Sequence, residues 1–145
     1  HEAAREQIDQ AAKLQPAVTW QARILQRRTA RAGDRVGYNG THRLERDSRI
    51  VTLGVGYADG YPRALSNRAL VEIAGETAPV VGRVSMDSIT VDVTHIEELR
   101  IAAVNHATIL GSRYDLASMA RDAGTIGYEI LTQLGRRPAR RHLGG

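Results

Sequence analysis

The sequence predicts a mainly β domain, a small barrel with two short helices near its C-terminus. Three observations carry that prediction. Between Val18 and Leu110, short segments alternate apolar and polar residues at the two-residue period of half-buried strands. Turn-forming stretches such as Ala32-Gly-Asp34 and Ala74-Gly-Glu-Thr77 separate them. Helical spacing of apolar residues appears only after Asp115. Many short strands followed by a little helix is the pattern of a closed or nearly closed sheet.

Taken in order, residues 1–13 have good helix propensity but few large apolar residues, and read as a linker or marginal helix. The domain proper runs from residue 14 to 145. Val18–Gln26 alternates well enough for a first strand, Ala32–Asp34 turns the chain, and Arg35–Thr41 carries it to Tyr38. Arg49–Val55 is the next strand and delivers Tyr57 at its end. Ala69–Ile73 and Pro79–Ser85 flank Ala74–Thr77 as a hairpin. Ser88–Val93 alternates again, and Ala107–Leu110 is a short late strand. Asp115 is placed to cap a helix over Leu116–Ala123, with Leu116, Met119, Ala120 and Ala123 on one face and Gly124 as its stop. Thr125 is placed to cap a second, with Ile126, Ile130, Leu131 and Leu134 at helical spacing.

The chain of 145 residues is one domain's worth, and its 42% hydrophobic and 25% charged residues are ordinary for a globular protein. With no cysteine it has neither disulfides nor thiol chemistry, which fits a cytoplasmic setting. No apolar run reaches the length of a membrane span and none reads as a signal peptide. A start at His1 rather than Met suggests a piece of something longer. The net charge of +4 raises nucleic-acid binding as a reading from a different class. Against it, the aromatics sit in Gly-Tyr turns rather than among the arginines, which concentrate at Arg23–Arg31 and Arg136–Arg141. His95, His106 and His142 have no metal-ligand spacing, so no metal site is expected.

The chemistry-bearing residues are the tyrosines. The chain has five Tyr, one Trp and no Phe. Tyr38, Tyr57 and Tyr128 all lie beside glycines, which let backbone or ligand approach closely. Phenols so placed serve better as proton donors or anchors than as packing. An ordinary phenol titrates near pH ~10, so one acting as a base needs positive charge or hydrogen bonds that favour the phenolate.

Four segments in this order and spacing carry a family resemblance. They are Val36-Gly-Tyr-Asn-Gly-Thr-His-Arg43, Gly54-Val-Gly-Tyr-Ala-Asp-Gly-Tyr-Pro-Arg63, Val81-Gly-Arg-Val-Ser-Met-Asp87 and Gly124-Thr-Ile-Gly-Tyr-Glu129, supported by Ser88–Thr94. Together they resemble the C-terminal domain of alanine racemase, over about Leu14 to Arg140. That family uses pyridoxal 5'-phosphate (PLP) to interconvert L- and D-alanine, a step toward peptidoglycan precursors. The resemblance implies a homodimer in which Tyr38 is the catalytic acid/base, acting on the cofactor held by the partner subunit. It implies substrate contacts from Met86, Asp87 and Tyr128, and an entryway from Tyr57, Arg63, Arg83 and Ile126. The resemblance also implies that PLP and its lysine belong to an N-terminal barrel domain; Lys13, the sole lysine here, lacks the preceding buried strand that a PLP lysine would need. The isolated domain is therefore expected to be inactive.

This sequence departs from the family pattern at two positions. Asn39 stands where a second small residue is common, and His42 where a tyrosine is common. Asn tolerates left-handed backbone, so the loop is expected to survive. His42 bears on the hydrogen bonding of Tyr38, hence on rate and pH optimum. Serine or a broader set of amino acids remains open as substrate, because one hydroxyl is worth little discrimination in a loose pocket.

Overall fold

The computed structural model describes residues 18–135 and 137–142. The linker or helix expected over residues 1–13 lies outside them. Eight strands form, β1 (Trp20–Ala30), β2 (Arg35–Val36), β3 (His42–Arg43), β4 (Ser48–Leu53), β5 (Leu70–Ile73), β6 (Glu76–Pro79), β7 (Ile89–Asp92) and β8 (His106–Leu110). Six of them make one antiparallel sheet in the order β6-β5-β8-β1-β4-β7. The chain leaving β6 then bridges from Val80 to Val91, and the Val81 N–H donates to the Thr90 carbonyl at 2.9 Å. The two edges meet and the sheet nearly closes, as the alternating pattern predicts.

Strand β1 organises the barrel. Trp20, Ala22 and Ile24 face inward, and then the register against β4 slips between Ile24 and Gln26. The extra residue, Leu25, is left exposed over Gly54. A bulge bends and twists its strand, which is how a short sheet turns a barrel corner. Strand β4 has both faces covered. Val51 and Leu53 belong to the main core, whereas Ile50 packs with Ala30, Val36, Leu44 and Val81 in a second, smaller cluster. Alternation puts Ile50 and Val51 on opposite faces. That second cluster seats the β2–β3 hairpin against the outside of the barrel.

Several elements differ from expectation. The hairpin turn is only Ala74-Gly75, both left-handed (φ 51° and 79°), with Ile73 opposite Glu76. The returning strand is therefore Glu76–Pro79, and the residues from Val80 to Ser85 form a connection with isolated bridges at Val80 and Arg83. An unexpected helix α1 covers Glu98–Ala102, too short for a periodicity signal and without a side-chain cap. Helix α2 (Leu116–Ala123) is capped as expected, the Ser118 N–H donating to Asp115 Oδ1 at 2.8 Å, and ends at Gly124. That bond holds the Asp115 carboxyl below its usual range. Helix α3 (Gly127–Gln133) starts from Ile126 rather than Thr125. The Thr125 hydroxyl donates to the Glu129 carboxylate instead, and Ile130 is the helix's one buried residue. Among the described residues no helix is long and apolar enough to cross a membrane.

Two buried tyrosines are expected to make the core sensitive to alkali. Tyr61 meets Trp20 edge to face, ring centroids 6.1 Å apart, and its hydroxyl has no hydrogen-bond partner among the described residues. The Tyr114 hydroxyl donates to Asp122 Oδ2 at 2.6 Å. Burial first, then the neighbouring Tyr114 and Asp122, pushes the Tyr61 phenol up; burial and the bond to Asp122 do the same for Tyr114. Both folded-state values lie above the unfolded one near ~10, so their stabilising contribution is whole below about pH 10 and is lost as pH rises beyond it. Tyr61→Phe is expected to flatten that decline. It also removes an unpaired hydroxyl, worth about 1 kcal/mol or more, so the variant should melt no lower than the parent at neutral pH. Thermal melts from about pH 8 to about pH 12 read both effects; an unchanged alkaline slope would contradict them.

Candidate active site

Tyr38 sits in the loop of the β2–β3 hairpin, and two glycines decide its position. Gly37 and Gly82 both have φ of +83°, in the left-handed region that favours glycine. They face each other so closely that a Cβ on either would lie 2.6 Å from the other's Cα. This contact lets Tyr38 bridge to Arg83, its N–H donating to the Arg83 carbonyl at 3.3 Å. The Arg83 N–H donates in turn to Thr41 Oγ1 at 3.0 Å. Asn67 Oδ1 accepts from the Gly82 N–H at 2.6 Å, and the Ser66 hydroxyl accepts from the Val84 N–H at 2.9 Å. The backbone under Tyr38 is thus braced from both sides, while its side chain is 53% exposed.

Beside the phenol lies an open hollow of about 320 Å³ lined by Gln26, Arg28, Gly37, Tyr38, Thr52, Arg83, Ser85, Ser88 and Thr90. Gln26, Thr52 and Thr90 are register partners across β1, β4 and β7, so they form one polar row. Sequence reasoning found Tyr38 and Arg83 in this hollow but missed the row. Its signal was present: these are outward positions of alternating strands. Asn39 takes φ of 58°, which explains how it replaces a small residue. His42 pairs in register with Val36 and makes no hydrogen bond to Tyr38 among the described residues.

The next two motifs meet across a short backbone ladder. The Tyr57 N–H donates to the Ser85 carbonyl at 3.1 Å, and the Ala58 N–H to the Met86 carbonyl at 3.0 Å. Gly56 makes this possible, since a Cβ there would lie 2.3 Å from both carbonyl oxygens. Tyr57 opens a 3₁₀ turn over Tyr57–Asp59, and the Arg63 guanidinium lies 5.6 Å from its ring centroid, a cation–π arrangement. Met86 is exposed. Asp87 is exposed and receives Arg137 Nη1 at 2.6 Å. Arg137 Nε lies 3.4 Å from Oδ1 of the buried Asp59. The bond to Asp87, then the charge of Asp59, raises the Arg137 pKa and holds its charge firmly. Arg137 was not singled out from the sequence, because nothing local signals a contact across so many residues.

The structure therefore gathers Tyr38, Arg83, Tyr57, Arg63, Met86 and Asp87 along one continuous stretch of surface. Among the described residues no hydrogen bond joins Tyr128 or Ile126 to them. Tyr128 stands in the first turn of α3 and is 80% exposed. Ile126, the residue that opens α3, is exposed too. Among the described residues no group of three or more His, Asp or Glu is placed to hold a metal ion.

Residues 17–142 match the family model described as alanine racemase, C-terminal domain. The chain is 46% identical over 129 residues to the catabolic alanine racemase of Rhizobium johnstonii, covering 89% of this chain and 34% of that one. It is 51% identical over 124 residues to the alanine racemase of Acidiphilium cryptum, covering 86% and 34%. Among solved structures, alanine racemase from Acinetobacter baumannii superimposes with a TM-score of 0.83 at 37% identity, covering 91% of this chain and 36% of that one. The Bartonella henselae enzyme, with covalently bound pyridoxal phosphate, gives 0.77 at 39% identity, over 82% and 33%. The chain spans about a third of the length of the curated relatives it matches.

Proposed function

The chain belongs to the family of alanine racemase C-terminal domains, and on that premise we propose that it completes the active site of a PLP-dependent racemase interconverting L- and D-alanine. Tyr38 is the acid/base it contributes, acting in the partner subunit of a homodimer. The observation that carries this reading is the placement of Tyr38: a half-exposed phenol on a backbone fixed by the Gly37–Gly82 contact, beside a hollow with two arginines. A general acid or base works when it is held rigidly within reach of its proton, and the double-glycine contact supplies that rigidity.

Racemisation moves one proton off the substrate's Cα and returns one to the opposite face. When bound, PLP supplies the electron sink for the charge left on Cα. On the family reading, the cofactor and the lysine that carries it belong to an N-terminal barrel domain of the parent protein. Tyr38 holds or takes the proton at its Oη on one face of Cα, and the cofactor's lysine serves the other. Arg83 and Arg28 put positive charge in the hollow where an amino-acid carboxylate would approach. Met86, Asp87 and Tyr128 contact the substrate, while Tyr57, Arg63, Arg83 and Ile126 narrow its entry. The cation–π contact of Arg63 on Tyr57 supports that role, because it holds both side chains at one place on the rim. Exposed Tyr38, Tyr57, Met86, Ile126 and Tyr128 are what an unpaired half of an interface leaves uncovered.

The parent protein is expected to interconvert L- and D-alanine with PLP, and to turn over L-serine more slowly. The 145-residue chain alone is expected to do neither. Chiral amino-acid analysis of both samples checks this. A parent that racemises nothing, or racemisation by the isolated chain, would contradict the reading.

A further inference from the structure

The C-terminal segment after α3 is tied to the candidate site in a way the family motifs do not explain. The Gly135 N–H donates to the Asp59 carbonyl at 3.1 Å. At Gly60 (φ +94°) the chain passes so close to α3 that a Cβ would lie 2.1 Å from the Gln133 carbonyl oxygen. These contacts moor the chain just before Arg137. The Arg137 side chain then reaches two carboxylates contributed by two different turns, Asp87 at 2.6 Å and Asp59 at 3.4 Å.

We infer that Arg137 is a positioning residue for the substrate-contact turn, its guanidinium tying the exposed Asp87 carboxylate to the buried Asp59 and so fixing Ser85–Asp87 against Gly56–Asp59. Asp59 is suited to be the fixed end. It is 8% exposed, and its Oδ2 accepts the Gly56 N–H at 2.9 Å, so it belongs to the turn that presents Tyr57. Asp87 is the movable end: among the described residues its side chain has no partner except Arg137. An exposed ion pair of this kind adds little to global stability. Its effect belongs instead to where it holds Asp87, and to the negative charge it neutralises there. An amino-acid substrate brings its own carboxylate to the adjoining hollow, which Ser85 and Ser88 line on either side of this turn. An unpaired Asp87 would repel that carboxylate, while one held by Arg137 does not. The inference rests on the reading of Met86 and Asp87 as substrate contacts.

The test uses the full-length parent, with PLP absorbance as a check on cofactor loading and kcat and KM measured separately for L-alanine. Arg137→Ala is expected to raise KM for alanine by about tenfold or more and to move kcat by less than about threefold. Arg137→Lys keeps the charge but not the fork that spans two carboxylates, and is expected to recover part of the loss. In an Asp87→Asn background the same Arg137→Ala change is expected to alter KM by less than about twofold, because the charge it neutralised is gone. A merely structural Arg137 would give equal losses in both backgrounds. Equal losses, or an Arg137→Ala enzyme with unchanged KM, would overturn the clamp while wild type remains active and Tyr38→Phe is not. If wild type does not racemise alanine, or Tyr38→Phe matches it, the functional reading itself has failed and the clamp falls with it.

Discussion

Tyr38→Phe in the full-length parent is expected to lower alanine turnover by roughly 10²–10⁴-fold, the range a positioned general acid or base supplies. The substitution removes one oxygen and leaves the ring, so the loop and the cofactor should be undisturbed. Tyr38 makes no side-chain hydrogen bond within the described residues, and its backbone bond to Arg83 survives any side chain. PLP absorbance and melting temperature should therefore match wild type while kcat collapses. KM should change little, because the phenol acts on the reacting proton rather than holding the substrate. If the Phe variant turns alanine over at the wild-type rate, Tyr38 is not the acid/base.

Gly82→Ala is the second change with a large expected effect, and it acts by a different route. The new Cβ would lie 2.6 Å from the Gly37 Cα and 2.7 Å from the Val36 carbonyl oxygen, and neither backbone atom can rotate away. The left-handed φ of +83° adds its own cost for any residue with a Cβ. Together these should destabilise the domain by roughly 2–4 kcal/mol. The loss should concentrate where the β2–β3 hairpin joins the barrel, because Gly37 and Gly82 are the joint. Activity should fall further than stability alone explains, since a hairpin shifted by about an ångström moves Tyr38 with it. Chemical denaturation with and without Gly82→Ala measures the first effect, and kcat at a temperature where both proteins are folded measures the second. A Gly82→Ala protein as stable as wild type would show that the two strands part more easily than their contact implies.

The contrast between these residues explains what was legible in the sequence. Alternation of apolar residues locates a strand that buries one face, and β7 reads cleanly for that reason, whereas β4, covered on both faces, shows as a denser apolar segment. Gly37 and Tyr38 stood out because four glycine-flanked segments in order and spacing resemble one family; alone, a phenol there reads as a solvated side chain on a strand edge. By contrast, the Leu25 bulge left no local mark, since an added residue changes register only relative to a partner strand. Helix α1 is five residues long, with Ile101 its only buried side chain. The polar row of Gln26, Thr52 and Thr90 is assembled from three strands, and the reach of Arg137 to Asp87 depends on how α3 exits the barrel. Such contacts are set by tertiary packing, and no window along the chain contains them.

Subunit mixing tests most directly whether this domain's Tyr38 works on the cofactor of the other subunit. Two inactive full-length proteins would be combined, one carrying Tyr38→Phe with its PLP lysine intact, the other with Tyr38 intact and that lysine replaced by alanine. If Tyr38 acts across the dimer, each mixed dimer contains one site with both groups, and alanine racemisation should return to about half of wild type per mixed dimer. If Tyr38 serves its own subunit, no mixed dimer has a complete site. Subunits shown to exchange, yet still without activity, would contradict the account.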